Sequence, residues 1–189
     1  MDRYHPFIWL SESRQKTVFW ILFVVTVGVM ICMQNTSTPL ETDAAPLGIV
    51  SFELAGDLES AQKMIQSWGQ EARIYAGLGL GLDYLYMVFY SCTIALGCVI
   101  LSRTYTTELF IRIGITLAGL QFCAALLDCV ENYALINILF GSVNEIWPPI
   151  AKWCAIPKFV LVILGLLYVL ITVILIMIKR LLNARTQKV

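Results

Sequence analysis

The chain has 189 residues, of which 59% are hydrophobic and 14% charged, with a formal net charge of zero. Soluble domains carry about 45–50% apolar and about 25% charged residues, so an excess gathered in long blocks points to membrane-spanning helices and away from a soluble core. Basic residues form no stripe and no aromatic-interleaved patch, which excludes a nucleic-acid partner.

Residues 1–16 read as a polar cytoplasmic tail with Arg3, Arg14 and Lys16. Residues 17–33 carry no charge and form the first span. The polar leader is long and no clear Ala-x-Ala site follows, so this span reads as an uncleaved signal anchor; a cleaved signal peptide is the alternative. Residues 34–73 are the longest soluble stretch. Pro39 and Pro46 keep its first part irregular. A helix is expected from Asp57 to Trp68, stopped by Gly69. Its apolar residues Leu58, Ala61, Ile65 and Trp68 share one face, while Glu59, Gln62, Lys63 and Gln66 lie elsewhere. This amphipathic helix should lie on the bundle end or in the interface, either as a cap or as a lid that binds a ligand or partner.

The second span covers 74–101. Its Gly77-xxx-Gly81 pair offers a close approach to another helix, within the monomer or in a homo-oligomer or other membrane-protein complex. It also carries Asp83 and the aromatic set Tyr84, Tyr86, Phe89 and Tyr90. Residues 102–112 form a short polar turn in which Glu108 and Arg112 stand one helical turn apart and can pair. The third span covers 113–140. Trp147-Pro148-Pro149 closes the next turn, with Pro149 suited to a first helical turn. The fourth span covers 150–178, with Pro157 expected to kink it near its start. A basic tail, 179–189, follows. The fold class is therefore all-α: a four-helix transmembrane bundle with an amphipathic helix in the loop between spans one and two.

Nine Lys and Arg flank one side of the four spans and four flank the other. The positive-inside rule then places both termini in the cytoplasm and the long loop outside, in a cell membrane. That loop is acidic, with Glu41, Asp43, Glu53, Asp57, Glu59 and Glu71. Trp68, Trp147 and Trp153 are expected at the outer interface, and Trp9 and Trp20 near the inner one.

Inside the third span stand Asp128, Glu131 and Asn132, at positions i, i+3 and i+4 and so on one face. A charge at such depth costs roughly 2.5–3.5 kcal/mol on insertion scales, so partners are expected. Spans two and three form a hairpin about Thr107, with Asp83 24 residues before it and Glu131 24 after it. These two should share a level, with Asp128 one turn deeper. Counted from the other side, Lys158 reaches a similar depth. Three acids, an amide and an ammonium are thus expected to converge. Three readings are open: a structural polar knot, a proton- or cation-handling site, and a metal-assisted enzyme site. Oxygen ligands would suit only hard cations such as Mg²⁺ or Ca²⁺. Neither a GxSxG nor an HExxH motif is present, so the reading taken is a non-enzymatic protein without a cofactor; a small proton- or cation-coupled transporter is the alternative.

Of the six cysteines, four lie mid-span as small packing residues, and no CxxC pair occurs. Cys32 and Cys154 fall near the same membrane face, which leaves a disulfide between them open. The single histidine, His5, lies in the tail, which argues against b-type haem and histidine-bound metal.

Several local patterns resemble a family of uncharacterised bacterial four-span membrane proteins. They are Gly48-Ile49-Val50-Ser51-Phe52-Glu53-Leu54-Ala55-Gly56 with the Ala61…Ile65…Trp68-Gly69 helix, Leu82-Asp83-Tyr84-Leu85, Asp128-x-x-Glu131-Asn132 and Pro157-Lys158-Phe159. The likeness covers about residues 47–175. It implies the four-span architecture and this choice of residues, and no activity.

Overall fold

The computed structural model describes residues 5–186 and is all-helical. The helices are α1 (Glu12–Ser37), α2 (Ile49–Glu53), α3 (Leu58–Ser67), α4 (Gln70–Ser102), α5 (Glu108–Leu139) and α6 (Trp147–Thr186). Among the described residues, α1, α4, α5 and α6 are long and apolar enough to cross a membrane. Each begins before its expected span, and all but α5 also end beyond it, because hydropathy marks what hydrocarbon can cover and not where helical hydrogen bonding ends. The 40 residues of α6 span about 60 Å, twice a hydrocarbon core of roughly 30 Å. Pro157 lies inside α6, which runs unbroken through it.

Helix α4 is the centre of the bundle, packed against α1, α5 and α6. Small residues allow this. A Cβ added at Gly97 would press on Phe19 of α1 and Val169 of α6. One added at Gly114 of α5 would press on Tyr168 and Ser102, and one at Gly165 of α6 on Gln121 and Ile94. The expected pair Gly77 and Gly81 is not where the helices meet. Gly81 is exposed with nothing near a Cβ, and Gly77 only touches Leu139. A span apolar on all sides does not declare its inner face. Gly114→Ala should therefore lower the stability of the detergent-solubilised protein by about 1–3 kcal/mol, while Gly81→Ala changes it little. An equal loss at Gly81 would reveal a helix seated on that face.

Near the start of α1 the polar tail is partly packed and not free. Phe7 is buried with its ring 6.1 Å from that of Phe122. The buried Gln15 amide donates to the Phe7 and Leu10 carbonyls. The Glu108–Arg112 pair forms at 3.0 Å. The opposite end is closed by a cap, residues 38–69, containing α2 and α3. Asp57 starts α3, accepting from the Ser60 N–H at 2.8 Å, which holds its carboxyl below the usual carboxylate range. Gly69 does not stop α3. It precedes the first turn of α4, and Arg73 reaches back to donate to the Ile65 and Trp68 carbonyls that end α3. The expected face of α3 packs inward. Ala61 and Trp68 are buried, and Leu58 and Ile65 half-buried, in a core with Leu40, Phe52, Ala76, Leu135 and Ile138. Trp68 is thus a core residue at 1% exposure and not an interfacial one; its ring meets Phe52 edge-on and its Nε1–H donates to the Leu40 carbonyl at 2.9 Å. Trp153, Trp9 and Trp20 are exposed.

Candidate functional site

All five polar residues expected to converge do so, at the cap-side end of the bundle. Asp83 comes from α4, Asp128, Glu131 and Asn132 from α5, and Lys158 from α6. Exposure runs from 0% for Glu131 and Asn132 to 8% for Asp83. Lys158 Nζ is the hub. It lies 3.1 Å from Asp128 Oδ1, and 2.9 and 2.8 Å from Glu131 Oε1 and Oε2. It also stands 4.6 Å from the centroid of the Phe159 ring. Asn132 Nδ2 donates to Asp83 Oδ2 at 2.8 Å. The level predicted for Asp83 and Glu131 is therefore met to within one residue.

Two further residues join the five: a tyrosine, a partner the structural-knot reading allows, and an acid that was not anticipated. Tyr90 donates its hydroxyl to Asp128 Oδ2 at 2.9 Å. It follows Asp83 by seven residues, two helical turns, and so shares its face. The other is Glu53, the last residue of α2, only 7% exposed, with Oε2 4.0 Å from Lys158 Nζ. The sequence reading counted it among the acids of an outer face. The signal available was its flanking, an acid between Phe52 and Leu54 inside a run bounded by Gly48 and Gly56. Both glycines have positive φ, at 55° and 78°, and the Lys152 side chain crosses Gly56 where a Cβ would stand. These two turns hold α2 so that Glu53 points down into the bundle.

The cluster now holds four carboxyls and one ammonium. Lys158 neutralises one carboxylate, and the other three need protons or a second cation. Burial pushes the Glu53 carboxyl above its usual range, opposed by the Lys158 charge. Its Oε2 and Asn132 Oδ1 receive no hydrogen bond from an amide, hydroxyl or ammonium. Beyond Tyr90 the buried Ala95, Leu96, Val99 and Ala118 are interspersed with buried Ser91, Thr93, Gln121 and Thr172. On the cap side, a cavity of about 210 Å³ lies between α1, α4 and the cap, and Glu53 and Asp83 form part of its wall.

All six cysteines are free thiols, Cys32 and Cys154 among them. Comparison with protein-family models, curated proteins and solved structures returns no match.

Proposed function

We propose that this is a non-enzymatic, multi-pass protein of the cell membrane whose acidic cluster accepts a cation and thereby holds an external cap on the bundle. One observation carries this reading: four buried carboxyls, one of them from the cap, face a single ammonium. The Lys and Arg counts support both termini in the cytoplasm, with α1 retained as an anchor. In keeping with retention, α1 packs on α4, and Thr26 and Thr93 share a hydrogen bond of 2.9 Å. Transport is the weaker reading. Access to the cluster exists on the cap side, and the polar groups buried beyond Tyr90, Ser91, Thr93, Gln121 and Thr172, are interspersed with the apolar Ala95, Leu96, Val99 and Ala118.

The reading is tested by stability against pH. The docked Glu53 carboxyl binds its proton more tightly than the ordinary value of 4.5. Stability from this group is fully present below 4.5 and is lost as pH rises through the docked value. The melting temperature in nanodiscs should fall as pH is raised from 4.5, and Glu53→Gln should flatten that fall. A parent protein whose melting temperature does not change as pH rises above 4.5 would defeat the reading.

A further inference from the structure

We infer that the cavity beside the cluster is a binding site for a small organic ammonium with an apolar body; this rests on the cation-accepting reading above. The cavity encloses about 210 Å³. That is more than the roughly 150 Å³ that takes up benzene and less than the roughly 300 Å³ of the smallest drug-sized sites, so it suits a body of about six to eight carbons. Met30, Met33, Leu40, Ile49, Val50 and Leu80 form its apolar walls. Met30 is exposed, so the cavity meets the protein surface along α1.

The charged groups on its wall have one sign. Glu53 and Asp83, both more than nine-tenths buried, line it beside the neutral Gln34, Thr36, Ser37 and Tyr86, and Glu53 Oε2 accepts no hydrogen bond, its nearest ammonium being Lys158 at 4.0 Å. Lys158 makes its close contacts with Asp128 and Glu131, stands 4.0 Å from Glu53, and is not part of this lining. An anionic or neutral head group would leave the excess acid unbalanced. A hard divalent ion would want six or more oxygens, and the walls are mostly apolar. An ammonium supplies three N–H donors and one positive charge, which answers both the orphaned oxygen and the charge imbalance. The apolar body replaces water against the methionine and leucine side chains. The head group chemistry is common to free alkylamines and to phosphatidylethanolamine.

The full-length protein in phosphatidylcholine nanodiscs at neutral pH would be titrated with hexylammonium chloride, hexan-1-ol and ammonium chloride, reading calorimetric binding and melting temperature. Saturable hexylammonium binding is expected, at least about tenfold tighter than either control. Glu53→Gln removes the charge and Val50→Phe fills the cavity without touching a carboxyl. Each should weaken binding at least about tenfold while the variant still melts cooperatively. Displacement by added phosphatidylethanolamine would assign the site to a lipid head group, and no displacement to a free amine. Equal binding of hexanol, or parental affinity in either variant, overturns the assignment. A pH-dependent melting temperature without amine binding would leave the cation-accepting site standing and remove only this ligand class. Loss of both would remove the two together.

Discussion

Lys158→Met will be the most damaging single change in the bundle, at about 3–5 kcal/mol, read by denaturant unfolding in mixed micelles. Methionine keeps the length and apolar character of the lysine stem, so little packing is lost. What is lost is, among the described residues, the only ammonium within reach of Glu53, Asp128 and Glu131. Each of these acids then sits buried without a counter-charge, and breaking a buried pair costs more than never having made it. Rescue should be stepwise. Lys158→Met with Glu131→Gln recovers part, because Glu131 gives Lys158 its two shortest contacts. Adding Asp128→Asn recovers more, since Asp128 also keeps its Tyr90 hydrogen bond. Coupling of about 0.5–3 kcal/mol between the sites is the signature sought. If Lys158→Met is as stable as the parent, the ammonium does not neutralise the cluster and the charge argument fails at its root.

The rest of the cluster shows what helical geometry makes readable. Two antiparallel spans joined by a short turn have a fixed rise per residue, so distance from the turn fixes depth. Asp83 and Asn132 meet because 83 and 132 lie almost symmetrically about 107. Lys158 was legible by the same count from the other turn. Glu53 was not, because eleven residues of irregular chain and 3₁₀ turn, 38–48, separate α1 from α2, which ends at Glu53, and no period governs their path. Its destination is set by positive-φ turns at Gly48 and Gly56, which a sequence marks only as two glycines among twelve. The helix faces were the other gap. Hydrophobic periodicity placed Leu58, Ala61, Ile65 and Trp68 on one side of α3, where polar residues fill the other. It could not tell that this side meets the bundle end and not lipid. In α4, apolar on all sides, it gave Gly77 and Gly81 no more claim than Gly79 or Gly97, and the latter two face neighbours.

Trp68→Ala should release the cap while leaving the four spans assembled. The indole is 1% exposed, packs on Phe52 and donates to the Leu40 carbonyl, so it ties α2, α3 and the 3₁₀ turn at Thr38–Leu40 to one another. Removing a buried tryptophan costs about 3–5 kcal/mol, the void and the orphaned carbonyl included. The loss falls on the cap because the spans have a separate core around Leu96, Val99 and Ala118. Trypsin reports it directly. Lys63 is exposed on α3 but held in helix, so cleavage there requires local opening. If opening is fast relative to cleavage, a loss of 3–5 kcal/mol speeds cutting by about two to three decades or more. Trp68→Phe keeps most of the ring packing, loses the hydrogen bond and should fall between. With the cap open, Glu53 leaves the cluster, so the pH dependence of stability should shrink in Trp68→Ala much as in Glu53→Gln. That second readout separates a cap coupled to the buried charges from one that merely rests on the helices. Faster cleavage with an unchanged pH profile would mean that Glu53 contributes nothing to the titration, and the cation would then have to be held by the α4–α6 residues alone.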